Sequence, residues 1–144
     1  MMQVKVYQAT TNDAEALFGL NERFNGVGCT SLELIKESLG TNVQEAVFIV
    51  EVDSNPAGFC CVQVFKSMCY SRHYAEITEF FIDHKCRRRG VGTQLMRQVE
   101  EYFTGDGVAG FQLFTGGNNR LAQGFYERLG YIRTDEIMYR KRYP

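Results

Sequence analysis

An α/β fold built on a mixed sheet is the class this sequence predicts, and three observations carry it. β-Rich apolar runs recur at 4–7, 46–52, 58–65, 75–83 and 111–115. Between them, apolar residues recur at helical spacing in segments bounded by capping residues and glycines. The resulting order is strand, two helices, three strands, helix, strand, helix and closing strands, which suits one sheet with helices packed on it. The 144 residues fit one domain, 1–144, and are short for two.

Val4-Lys5-Val6-Tyr7 alternates as a first strand should. Thr10, Thr11 and Asn12 offer caps for a helix with Asp13 and Glu15 in its first turn and an apolar face of Ala16, Leu17, Leu20 and Phe24. Gly26 and Gly28 end it. Ser31 caps a second, short helix through Leu39, with Gly40 as its stop. The runs 46–52 and 58–65, joined by Asp53-Ser54-Asn55-Pro56, read as a hairpin. A polar-aromatic connection carrying Met68, Tyr70 and His73 leads to the strand 75–83. The helix that begins at the glycines 90 and 92 buries Val91, Leu95, Val99 and Phe103. After the strand 111–115, Gly116-Gly117-Asn118-Asn119 turns the chain into a helix ending at Leu129 and Gly130. The segment 131–139 is expected to add one or two strands.

Apolar residues make up 44% of the chain, enough for a core, and 16 Lys and Arg balance 17 Asp and Glu to a net charge of −1. That balance argues against general nucleic-acid binding, which needs a broad basic surface for counterion release. The basic residues gather locally, at Arg87-Arg88-Arg89 and Arg140-Lys141-Arg142, as suits a single polyanionic ligand. Five cysteines, an odd number in an apolar-rich chain, read as reduced thiols. Cys69, His73, His84 and Cys86 match no paired zinc spacing, so no metal is expected. No stretch has the length of a signal core or a membrane span, and the chain reads as cytoplasmic.

The segment from Phe80 to Thr93 is the most informative. A strand ending in Phe80-Phe81-Ile82 runs through a basic loop with Arg87, Arg88 and Arg89 into a helix starting Gly90-Val91-Gly92-Thr93. The first N–H groups of a helix lack internal partners and sit at the positive end of its dipole. Glycine lets an anion approach them, and the arginines add charge, so the segment reads as a pyrophosphate cradle. It lacks the Gly-Lys-Ser/Thr ending of a P-loop and the three spaced glycines of a dinucleotide fingerprint. By itself it is equally well an ordinary basic turn before a helix. The second segment, Asn119 to Tyr131, is an amphipathic helix whose Asn119, Ala122 and Tyr126 share one face.

Together the two segments resemble the GNAT superfamily of acetyl-CoA-dependent N-acetyltransferases. Its cofactor loop reads Gln/Arg-x-x-Gly-x-Gly/Ala, matched by Arg87, Gly90 and Gly92. Its penultimate helix commonly reads Asn-x-x-Ala-x-x-Phe-Tyr-Glu-x-x-Gly-Phe/Tyr, matched from Asn119 to Tyr131. His84 stands where family members often have proline. The resemblance implies a mostly antiparallel central sheet with helices on both faces and two central strands that splay to admit the pantetheine arm. It places that arm on Phe80, Phe81 and Ile82, and the pyrophosphate on Arg87 to Thr93. Asn119 would touch the cofactor, and Tyr126 would protonate the departing thiolate.

The amine must be neutral to attack a thioester, so a base is expected. The resemblance offers Glu76 and Glu79, which face opposite sides in a regular strand; Glu79, beside the pantetheine run, is preferred. Direct attack in a ternary complex is expected, with no acetyl-cysteine. Glu15, Glu22, Glu33 and Glu37, with Tyr70 and Tyr74, are candidates to line a cleft for a cationic amine such as an aminoglycoside or polyamine. A protein N-terminus or lysine is the alternative acceptor, and an acyl-CoA-binding regulatory domain the alternative class. A homodimer is left open.

Overall fold

The computed structural model describes residues 1–144, and five strands and four α-helices lie between Val4 and Arg128. They run β1 (Val4–Gln8), α1 (Ala14–Asn25), α2 (Leu32–Thr41), β2 (Glu45–Val52), β3 (Asn55–Phe65), β4 (Tyr74–Ile82), α3 (Val91–Gly105), β5 (Gly110–Leu113) and α4 (Arg120–Arg128). One sheet holds the strands in the order β1-β2-β3-β4-β5. The first three pairings are antiparallel and β4 with β5 is parallel. The chain parts into two units, Met1–Phe114 with the sheet and α1 to α3, and Thr115–Pro144 with α4.

Local chemistry explains the boundaries. Thr10 and Asp13 form a reciprocal capping box before α1, and Ser31 Oγ accepts the Leu34 N–H at 3.2 Å to start α2. Gly40 lies inside the last turn of α2, which runs on to Thr41 instead of stopping at the glycine. The β2–β3 hairpin turns on Asp53 and Ser54, both with positive φ, a two-residue turn whose twist matches antiparallel strands.

The strand period then sorts side chains to two faces. Val47, Ile49, Phe59, Cys61 and Phe81 cluster with Leu17 and Leu20 of α1, and Ile35 and Leu39 of α2 pack against them. On the other face, Phe48 meets Tyr102 and Phe103 of α3 edge-on, with ring centroids 5.3 and 5.9 Å apart. Helices therefore cover both faces. Leu20, Ile49, Leu95 and Val99 are wholly buried, and each stabilises the fold by roughly 1.5–3 kcal/mol.

The expected closing strands do not form: residues 131–144 are neither helix nor strand. Their alternation explains it. One phase holds Ile132, Thr134, Glu136 and Met138, the other Tyr131, Arg133, Asp135 and Ile137, so neither phase gives the wholly apolar face that pins a strand.

Candidate active site

β5 is only four residues long and pairs with β4 from Tyr74 to Ile77. On its other side β4 stays paired with β3 as far as Ile82. The stretch Thr78 to Ile82 thus extends past the end of β5, and such an unpaired strand edge can hydrogen-bond an extended ligand. Phe81 packs into the α1 side, its ring stacked on Phe24 at 5.0 Å, while Phe80 and Ile82 pair with Cys60 and Gly58.

The loop after β4 is tightly held at its start. The Asp83 N–H donates to Ala57 O at 2.7 Å, the Asp83 carboxylate accepts the Lys85 N–H at 3.3 Å, and Cys86 N–H closes on Asp83 O at 2.8 Å. A short 3-10 turn, His84–Cys86, follows. Arg88 (φ 63°) and Gly90 (φ 79°) are both left-handed. For glycine that conformation is free; for arginine it is strained, and such outliers cluster where a loop holds a ligand. The first bond of α3 runs from Gln94 N–H to Gly90 O at 3.0 Å, so the N–H groups of Val91, Gly92 and Thr93 precede it and remain for an anion. Arg88 and Arg89 are exposed. Arg87 is engaged otherwise: its Nε donates to Ile82 O at 2.8 Å, and its guanidinium lies 5.9 Å from the Phe81 ring centroid. Its side chain braces the strand end.

The two glutamates share a face, a correction to the expectation that they oppose each other. Cys61 pairs with Glu79 but Val62 pairs with Ile77, so Thr78 is an extra residue in β4. This bulge shifts the phase, and Glu76, opposite Gln63, joins Glu79, opposite Cys61, on the α1 and α2 side. Their surroundings differ. Glu76 Oε1 accepts from Gln112 Nε2 at 2.8 Å. Glu79 lines a cleft of about 250 Å³ between α1, α2 and the strands, and desolvation raises its pKa.

Glu45 at the start of β2 lines the same cleft, together with Asn21 and Asn25 of α1, Ser38 of α2, and Cys61. Burial raises its pKa, a hydrogen bond with the Cys61 thiol opposes that, and the charge of Glu79 adds to the rise. The lining has two carboxyl groups and no cationic side chain. None of Glu15, Glu22, Glu33, Glu37, Tyr70 and Tyr74 lines this cleft. Glu45 and Cys61 were missed, although Glu45 keeps phase with Val47 and Ile49, an acid at an apolar position of a strand. All five cysteines are unpaired, and burial pushes the Cys61 thiol up, the opposite of what a nucleophile needs. No group of three or more His, Cys, Asp and Glu side chains converges to hold a metal.

In the second unit, Asn119 Oδ1 caps α4 by accepting the Ala122 N–H at 3.2 Å. Gln123 Nε2 reaches back to Gly116 O and Gly117 O at 2.8 and 3.0 Å, fixing the turn that precedes the helix. Tyr126 is half-buried, its ring edge-on to Phe125 and Tyr131 at 5.3 and 6.0 Å.

A mixed sheet whose fourth strand runs past its parallel neighbour into a glycine-started helix defines an α/β protein with a strand edge and a helix N-terminus side by side. The sequence pattern of the acetyltransferase (GNAT) family matches residues 15–131, and the chain belongs to that family. An uncharacterized N-acetyltransferase of Methanocaldococcus jannaschii is 37% identical over 95 residues, 65% of this chain and 42% of that protein. The match thus spans less than half the length of that relative. Among solved structures, aminoglycoside N-acetyltransferase AAC(6')-Iy in complex with CoA has a TM-score of 0.84 at 20% identity, covering 99% of this chain and 96% of that one. A ribosomal-protein-alanine N-acetyltransferase from Brucella melitensis biovar Abortus has a TM-score of 0.85 at 14% identity, covering 99% of this chain and 100% of that one. At these identities the likeness speaks for the fold. No helix is long and apolar enough to cross a membrane.

Proposed function

We propose that this chain is an N-acetyltransferase that moves the acetyl group of acetyl-CoA onto a cationic amine by direct attack. The observation that carries the reading is the end of β4, which outruns β5 and leads through the strained Arg88 to Gly90 at the start of α3. The pantetheine arm lies along Phe80 to Ile82. The N–H groups of Val91, Gly92 and Thr93, with Arg88 and Arg89, take the pyrophosphate. Arg87 contributes by bracing Ile82, and Asn119 keeps its side-chain amide N–H groups for the cofactor while its oxygen caps α4.

The cleft supports the acceptor class. Two acids without a basic side chain beside them attract an ammonium group, and apolar walls of Leu17, Ile35 and Phe59 suit its carbon frame. Glu79 takes one proton from the ammonium group, directly or through water. The freed lone pair attacks the thioester carbonyl, the C–N bond forms, the C–S bond breaks, and Tyr126 protonates the departing thiolate. The second proton of the nitrogen passes to the Tyr126 phenolate, directly or through water, to leave the neutral amide. The raised pKa of Glu79 makes its carboxylate a stronger base toward the ammonium proton than an ordinary glutamate.

The test is the pH–rate profile with a small diamine acceptor. Glu79→Gln should lose about 10²-fold or more in kcat/KM near neutrality and recover as pH approaches the acceptor's own pKa. Glu76→Gln, whose carboxylate already holds Gln112, should be milder. The larger loss falling on Glu76→Gln would reassign the base, and no loss with either would remove it.

A further inference from the structure

Asp83 is the only buried charged side chain in the protein, and its ion partner comes from far away in sequence. Arg23, in the last turn of α1, places Nη1 at 2.5 Å from Asp83 Oδ2. Every polar group of Asp83 is used: its N–H on Ala57 O, its carbonyl on Cys86 N–H, one carboxylate oxygen on Lys85 N–H and the other on Arg23. Only the Asp83 end is buried, since the Arg23 side chain is 49% exposed, and an ion pair open to water on one side adds little to stability by itself. What this one fixes is direction. Asp83 is the hinge between β4 and the loop, and the arginine ties that hinge to the helix whose Asn21 and Asn25 line the cleft.

We propose that Arg23 is a positioning residue for acetyl-CoA: through Asp83 it sets the angle at which the 84–90 loop presents its N–H groups to the pyrophosphate. Arg23 touches no ligand itself. The inference rests on the reading of the loop as the pyrophosphate site. Without the guanidinium, the Asp83 carboxylate turns toward water, the Lys85 N–H loses its acceptor, and the 3-10 turn His84–Cys86 loosens. Small displacements of a positioned group are costly, so a change of about tenfold or more is expected.

Calorimetric titration with coenzyme A, in the full chain, decides it. Arg23→Gln should raise the Kd by about tenfold, and Arg23→Lys should restore most of the affinity. In turnover the KM for acetyl-CoA should rise while kcat and the acceptor KM stay near wild type, a split that general loosening of the fold does not produce. Asp83→Asn supplies a second route should Arg23→Gln fold poorly. The double variant Arg23→Gln/Asp83→Asn should be no worse than the weaker single, because the two act as one unit. A folded Arg23→Gln protein with wild-type Kd and KM overturns the inference, as does full additivity in the double variant. Wild-type protein that fails to bind coenzyme A overturns the loop reading as well, which separates the two failures.

Discussion

Glu45 and Glu79 each have a pKa raised chiefly by desolvation, so the folded chain holds their protons more tightly than the unfolded chain does. The sign follows: any stability they contribute relative to glutamine is present below the unfolded carboxylate value of about 4.3 and is lost as pH rises through the folded value. Glu45→Gln should therefore melt at a higher temperature than wild type at pH 8, with the gap closing toward pH 4. The same variant should bind cationic amines less well, the usual exchange between stability and function at a site. A melting temperature that falls at pH 8 would mean that Glu45 has a structural partner instead. Tyr126→Phe keeps the ring against Phe125 and Tyr131 and removes only the hydroxyl, so cofactor affinity should hold while kcat drops by about 10²- to 10⁴-fold. Retention of full kcat would leave Tyr126 as packing.

The β4 strand and its loop were legible as elements because Phe80-Phe81-Ile82 and the Gly90-Val91-Gly92 helix start carry strong local patterns. The bulge at Thr78 was not. Nothing in Ile77-Thr78-Glu79 marks an extra residue, since the insertion is defined only by pairing with Cys61 and Val62. That single residue decides that both glutamates share a face. Glu45 was hidden for a similar reason: its role depends on a cleft closed by α1 and α2, a long-range property. The strand end also depends on Gly58, opposite Ile82. A Cβ there would stand 2.3 Å from Phe81 O and 2.8 Å from Ile82 Cδ1. Gly58→Ala should cost about 1–3 kcal/mol of stability and weaken coenzyme A binding, because the displaced backbone is the stretch read as the pantetheine strand. Unchanged affinity in this variant would place the arm elsewhere.

For the whole molecule, sequence order, sheet topology and family membership agree, and they do so because the element order and the two motifs are local signals repeated along the chain. The acceptor is another matter. The same fold occurs in a protein described as acting on aminoglycosides and in one described as acting on ribosomal protein, so the fold alone does not fix the acceptor. The C-terminal segment shows the opposite failing: its mixed-polarity phases looked strand-like residue by residue, yet no strand forms there. The most direct test of the central claim is release of free thiol from acetyl-CoA by the purified full chain, followed continuously across a panel of diamines, aminoglycosides and N-terminal peptides. Thiol should appear only when an amine is present, fastest with the di- and polycationic acceptors, and each equivalent should match one acetylated amine by mass spectrometry. Coenzyme A binding without amine-dependent thiol release from any member of the panel would contradict the account and leave a binding domain in its place.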